Sequence, residues 1–331
     1  MIISKTPYRI SLFGGGTDFP NYFKKYNGSV IGGSINKYCY ITARVLPKFF
    51  SHELRFVWSI IENVKNADQI RHPSLKAILK FLKIKSGYEI HYDGDLPGMS
   101  GTGSSSAFTI GTLNCLSNII KNKLTKKQMY KNALCIEQKI MKESIGNQDQ
   151  YWATYGGFKY LEFKKNDSIY ELNLINNKNI KRIEKNLIIF YTGKKRISAN
   201  IEKEKIKNID KNIKYFHEIK SHVNLCKNII LNNMDINEIG FMLNDAWELK
   251  KKLSPLVTDK YINEIYKIGI DCGALGGKLL GAGGGGFILF YANEKNQQKI
   301  KKNYTNFNLQ ILSLLKKVQK LFIINKKILN D

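Results

Sequence analysis

The chain has 331 residues, with 53 Lys and Arg against 27 Asp and Glu and a formal net charge of +26. That length is too great for one simple core and suits two lobes, and a composition 43% hydrophobic and 11% aromatic excludes an intrinsically disordered chain. No apolar run approaches the roughly 20 residues of a membrane span, and the opening MIISKTPYRISLFGGG lacks the charged start and apolar core of a secretory leader.

The chain begins with a glycine cluster, PYRISLFGGGTDFP, which carries Arg9 and Asp18. The stretches YCYITARVL and YEIHYD read as strands, and FVWSIIENV between them reads as a buried strand or as the wall of a base pocket, through Trp58, Ser59 or Glu62. Next comes LPGMSGTGSSSAF, a second small-residue cluster that opens a helix running through Leu116. Glycines let backbone N–H groups close around anionic oxygens, and a helix N-terminus adds positive potential. The phosphate-binding candidates are therefore Pro97, Gly98, Ser100, Gly101, Thr102, Gly103, Ser104, Ser105 and Ser106. A serine-capped turn would look the same. No Gly-Lys-Ser/Thr follows and this stretch lacks the GxGxxG spacing, so it indicates neither a Walker A loop nor a dinucleotide fold.

Met129, Ala133, Ile136 and Ile140 recur at helical spacing. Glu137 lies on that helix, Glu143 follows, and Asp149 lies in the loop-like stretch IGNQDQYWATYGG. A carboxylate on a helix and a second at its end could hold a cation and orient a hydroxyl, or could be a surface charge and a turn former. GGFKYLEF and NLIIFYTG read as later strands. From Ser198 one long helix is expected, with Ile206, Ile209, Ile213, Phe216 and Val223 on one face. DINEIGFMLNDAWELKKKL is another helix, and GKLLGAGGGGFILFYA is a strand, a glycine turn and a strand. Four consecutive glycines, Gly283 to Gly286, imply backbone pressed against a ligand or another loop. A domain boundary is expected near residue 193, giving lobes 1–193 and 194–331.

Cys39, Cys115, Cys135, Cys226 and Cys272 are scattered without a CxxC pair, as buried thiols in a reducing cytosol would be, and His52, His72, His91, His217 and His222 show no metal-ligand spacing. The lysines spread over many segments, as compositional drift would spread them, with no basic motif interleaved with aromatics. Neither a nucleic-acid nor a membrane partner is expected. A positive field would help recruit small anionic substrates.

The three glycine clusters, in this order, resemble the motifs of the GHMP small-molecule kinases, which include galactokinase, homoserine kinase, mevalonate kinase and phosphomevalonate kinase. The matching segments are PYRISLFGGGTD, Pro97 to Ala107, and Lys278 to Gly286. The resemblance implies an α+β fold of two lobes. A ribosomal-S5-like N-terminal lobe meets an α+β C-terminal lobe, with ATP in the cleft between them. The family pairs a Glu with an Asp twelve positions later in a Gly-x-x-Asp-Gln setting, which Glu137, Asp149 and GNQDQ match. By that resemblance Glu137 and Ser105, with Ser104 next, ligate Mg²⁺, Asp149 is the catalytic carboxylate, and Arg9 pairs with it and reaches the transferring phosphate. A carboxylate paired with a guanidinium is a weak ground-state base, so its expected role is to orient the hydroxyl and take the proton late.

Asp18, with Gly15, Gly16 and Thr17, matches the segment that holds sugar hydroxyls, and Gly283 and Gly284 are the third-motif candidates. Galactokinases carry Gly-Glu-His where this chain has Gly14, Gly15 and Gly16, which leaves room for a larger or phosphorylated sugar. YTGKKRISANI adds clustered cations before a helix. These features look most like the bacterial branch that phosphorylates O1 of D-glycero-D-manno-heptose 7-phosphate for GDP-heptose and surface polysaccharide. Arg196 and Ser198 would then hold the 7-phosphate, in a cytoplasmic monomer or homodimer. A fucose- or galactose-like acceptor is the alternative.

Overall fold

The computed structural model describes residues 1–194, 198–304, 309–310 and 320–323. Its chain runs β1 (Ile2–Phe13), α1 (Pro20–Tyr26), β2 (Gly28–Val45), β3 (Leu54–Val57), β4 (Ile61–Val64), α2 (Pro73–Phe81), β5 (Tyr88–Gly94), α3 (Ser104–Ile119), α4 (Lys126–Leu134), a π-helical turn (Cys135–Ile140) and α5 (Gln148–Tyr155). There follow β6 (Phe158–Phe163), β7 (Ile169–Asn173), α6 (Lys178–Asn186), β8 (Leu187–Tyr191), α7 (Ser198–Lys207), α8 (Ile213–Leu231), α9 (Glu238–Leu253), α10 (Lys260–Asp271), β9 (Gly276–Leu279), β10 (Phe287–Tyr291), α11 (Glu294–Asn303), β11 (Leu309–Gln310) and β12 (Lys320–Ile323).

Among the described residues the strands make two sheets. The larger, of eight strands, runs β12-β1-β2-β5-β3-β4, with β6 added to the start of β2 and β7 to β6. All of its pairings are antiparallel except β3 with β5. The smaller sheet is antiparallel, in the order β11-β8-β10-β9. The two sheets exchange strands across the boundary expected at residue 193. β8 hydrogen-bonds to β10 of the C-terminal half, and β12 returns to β1.

Most of β1 and the first eight residues of β2 are buried on both faces, polar residues included. One face carries α3, whose Ala107, Ile110, Leu113 and Leu116 join Ile10, Ile41 and Ile90 in the main core. The other receives α8, with Val223, Cys226 and Ile230 in the same cluster. A second cluster, with Phe190, Trp247, Ile262 and Phe290, forms the core of the C-terminal half.

The single long helix expected from Ser198 is two helices. Residues 208–212 form turns, with the backbone N–H of Asn212 bonded to Asn208 O and Ile209 O, and Asn212 stands at the N-terminus of α8. Asn and Asp compete with the helical backbone for hydrogen bonds, and Asn208, Asp210 and Asn212 alternate here. Ile209 still lies with Phe216, Ile219, Leu249 and Leu253 in one apolar cluster, with Ile206 and Ile213 packed against it, while Val223 of the expected face joins the main core instead.

Candidate active site

Pro7 has no N–H to give the ladder between β1 and β2, and the register shifts between Pro7 and Arg9 and again between Ser11 and Phe13. These irregularities carry the end of β1 into a cleft of about 370 Å³, which Arg9, Ser11 and Phe13 line. Arg9 is 6% exposed. Its Nε donates to Asp149 Oδ1 at 2.7 Å, its Nη2 to Oδ2 at 2.5 Å, and its Nη1 to Gly101 O at 2.6 Å. The Arg9 N–H donates to Thr102 O at 3.0 Å. One arginine therefore ties the first strand, the serine-rich turn and the Asp149 segment together. Asp149 lies in the first turn of α5, not in a loop as its sequence setting suggested.

The second glycine cluster divides into two roles. Gly101, Gly103, Ser104, Ser105 and Ser106 line the cleft. Ser100 and Thr102 are buried beneath it with their hydroxyls 3.0 Å apart, and Pro97 and exposed Gly98 sit outside the lining. Gly103 takes a left-handed φ of 74° and gives α3 no side-chain cap. The first N–H groups of this 16-residue helix therefore lack an intrahelical partner or a side-chain cap, as an anion site requires.

Glu137 is 0% exposed on the π-helical turn, so it is not a surface charge. Its Oε2 accepts from Ser106 Oγ at 3.0 Å and from Gln150 Nε2 at 2.5 Å. The structure thus sets Ser106 against Glu137, whereas Ser105, the serine expected there, is exposed on the cleft wall. Successive helical residues point about 100° apart, so only one of the two serines can face Glu137. Glu137 Oε1 is buried without a well-formed hydrogen bond. Burial pushes the carboxyl up to about 7, against partial relief from the Thr109, Gln150 and Ser106 side chains. Glu143 lines the cleft, and burial raises its pKa too.

Asp18 is 1% exposed and lines the cleft. It accepts from Gly16 N at 3.0 Å, Gln148 N at 3.1 Å and Gln148 Nε2 at 2.8 Å. Its carboxylate therefore braces the start of α5. Burial, and then the charge of Asp149, raise its pKa to about 6. A Cβ on Gly146 would lie 1.9 Å from Asp18 Oδ2, so only glycine permits this brace. Gly15 and Gly16 line the cleft, while the Thr17 hydroxyl is spent on Gly14 O and Ser29 O.

Two groups of candidates stand elsewhere. The glycine run packs on other loops: a Cβ on Gly283 would meet Val257, and one on Gly286 would lie 2.2 Å from Ser100 O. The Gly284 N–H donates to Val257 O. Gly281 and Ala282, not Gly283 and Gly284, reach the cleft. Trp58 Nε1 donates to Glu62 Oε1 at 3.1 Å, and Glu62 Oε2 accepts from the Arg71 N–H at 2.6 Å. With exposed Ser59 they lie outside the lining of this cleft. Arg196 lies outside the described residues, and of Ser198 only its place at the start of α7 is described. Sequence reasoning missed Ser11, Gln148, Lys205 and Lys250 as cleft residues, and took Lys278 only as part of a motif. Ser11 Oγ and Gln148 Oε1 are buried without partners, a property only the packed structure reveals.

Residues 69–157 match the GHMP kinases N terminal domain, and residues 221–308 the GHMP kinases C terminal domain. The chain is 28% identical over 314 residues to D-glycero-alpha-D-manno-heptose 7-phosphate kinase of Campylobacter jejuni, covering 91% of this chain and 92% of that protein. It is also 28% identical to mevalonate kinase of Methanocaldococcus jannaschii over 248 residues, 72% of this chain and 73% of the relative. Among solved structures, a D-glycero-D-manno-heptose 1-phosphate kinase from Bacteroides thetaiotaomicron superposes with a TM-score of 0.78 at 23% identity, covering 98% of this chain and 100% of that one. Two matched domains and near-complete coverage account for the three glycine clusters and the cleft between them: the chain is a kinase of the GHMP family.

Proposed function

We propose that this kinase transfers the γ-phosphoryl group of ATP to O1 of D-glycero-D-manno-heptose 7-phosphate, giving the 1,7-bisphosphate. The observation that carries the reading is the bidentate Arg9–Asp149 pair in the cleft beside the uncapped start of α3. The similarity to the Campylobacter heptose 7-phosphate kinase over nearly the whole chain supports the choice of sugar.

Asp149 orients the acceptor hydroxyl and takes its proton late, when phosphoryl transfer has made that hydroxyl acidic. Arg9 fixes the carboxylate by two charge-assisted bonds and presents positive charge to the transferring group. The Gly101 and Gly103 segment and the N–H groups of Ser104 to Ser106 receive phosphate oxygens. Ser11 and Gln148, with unpartnered polar atoms in the cleft wall, bind acceptor hydroxyls.

Glu137 and Ser106 suit Mg²⁺. Oε1 is an orphaned buried oxygen, and Mg²⁺ needs only one or two protein oxygens when phosphates supply the rest. When bound, Mg²⁺ neutralises phosphate charge. The test is ADP release, coupled to a reporter, with heptose 7-phosphate, unphosphorylated heptose and a fucose- and galactose-type panel. A clear preference for the 7-phosphate is expected. Equal rates with and without the phosphate, or a preference for a hexose, overturn the substrate assignment.

A further inference from the structure

Three lysines reach the same cleft from three elements of the C-terminal half: Lys205 from α7, Lys250 from α9 and Lys278 from β9. They are 4%, 9% and 7% exposed. Burying an ammonium group costs several kcal/mol unless charge or strong hydrogen bonds compensate it. Lys250 Nζ donates to Leu279 O at 2.7 Å and Gly281 O at 2.6 Å, and Lys205 Nζ donates to Ala282 O. Lys278 Nζ donates to Leu12 O at 2.8 Å. These carbonyl oxygens fix the positions of the ammonium groups at the cleft. Glu202, 3.5 Å from Lys205, is the one carboxylate that the C-terminal half contributes to the described lining.

Asp18, Glu143 and Asp149 of the N-terminal half line the same cleft beside Arg9, and the three lysines join it from the C-terminal half. The lysine side also adjoins the acceptor region. Leu12, which receives Lys278, lies two residues before the Gly14–Gly16 turn, and Phe216 of α8 packs on Gly16. Phe19 shares an apolar cluster with Leu249 and Leu253, which flank Lys250 on α9. The start of α3 and its serine turn belong to the N-terminal half.

We propose that Lys205, Lys250 and Lys278 form a cradle for a phosphomonoester carried by the acceptor. This rests on the reading above that the cleft accepts a phosphorylated sugar. A phosphomonoester is close to a dianion at neutral pH and has three acceptor oxygens. Lys278 keeps two N–H donors beyond its bond to Leu12 O. Its crowding supports the assignment: burial, with the charges of Arg9 and Lys205, lowers its pKa to about 7, and a bound dianion would relieve that repulsion.

The test uses the full chain with Lys205→Met and Lys250→Met, which keep the apolar stem and remove the charge. The readouts are KM for ATP, and kcat/KM for heptose 7-phosphate divided by that for unphosphorylated heptose. Loss of one charge-assisted bond should lower this ratio about tenfold or more while KM for ATP changes less than about threefold. An unchanged ratio overturns the cradle. So does a parallel rise in KM for ATP, because lysines that only braced the Gly281–Ala282 turn, or that served the nucleotide, would disturb ATP through the contact of that loop with Ser100. Should a variant fail to fold, inorganic phosphate with the unaltered protein decides: it should compete with the sugar phosphate and not with ATP, and competition with ATP alone overturns the proposal. If no heptose is phosphorylated, the substrate reading fails separately. Stabilisation of the wild type by inorganic phosphate, lost in Lys250→Met, would then support the cradle, and stabilisation unchanged by the substitution would refute it.

Discussion

Asp149 receives both Arg9 bonds, so replacing it by Asn removes the charge while keeping the shape. In the proposed reaction, Asp149→Asn should lower kcat by about 10²–10⁴-fold and leave KM for ATP nearly unchanged. Steady-state kinetics checks this, and unaltered kcat would remove Asp149 from the mechanism. Glu137 makes a second prediction at the same scale. Its folded pKa stands at about 7 against an ordinary 4.5 because burial disfavours the charged form. Below pH 4.5 both folded and unfolded chains hold the proton and nothing is lost. Above about 7 both are ionised and the folded state bears the full cost, on the order of 3 kcal/mol. Metal-free protein should therefore lose stability as pH rises from 4.5 through 7, in the same sense as Asp18, whose pKa rises from 3.8 to about 6. Urea unfolding in chelator at pH 5 and pH 8 should show a smaller loss for Glu137→Gln than for the wild type. Equal losses would mean that Glu137 is not the group titrating.

At the scale of elements, α4 and the π turn act as one mount for Glu137. Thr125 and Gln128 form a capping box at the start of α4, and the chain passes directly from its end into the π-helical turn. Thr125→Ala should cost about 1 kcal/mol in denaturant unfolding. The two later glycine clusters also work as a pair, because Gly286 has a φ of 99° and its Cα faces Ser100 O. Gly286→Ala would force a Cβ to within 2.2 Å of that carbonyl, so it should destabilise the fold by roughly 1–3 kcal/mol and raise KM for ATP. An alanine variant with wild-type KM for ATP would show that the contact does not shape the nucleotide site. The register of helices was legible in apolar spacing, but the break between α7 and α8 was not, because periodicity records which face is buried and Ile209 remains buried in the turn.

At the scale of the whole molecule, the net charge of +26 surrounds a cleft proposed to take two anionic substrates. Raising ionic strength from about 0.01 M to 0.15 M shortens the screening length from about 30 Å to 8 Å, so kcat/KM should fall several-fold with kcat little changed. A salt-independent kcat/KM would mean that the surface lysines contribute no steering. The sequence alone determined the family, the two-lobed fold, and the candidacy of Arg9, Glu137 and Asp149. Those depend on local signals: glycine where backbone must be bare, spacing along a helix, and carboxylates at a set interval. Only the tertiary structure decided that Ser106 faces Glu137, that Gly283 and Gly286 pack on Val257 and Ser100, and that Lys205, Lys250 and Lys278 converge. Which atoms meet across 31 or 73 residues depends on how sheets and helices pack. A lysine bound for the interior has the same local sequence signature as one bound for water.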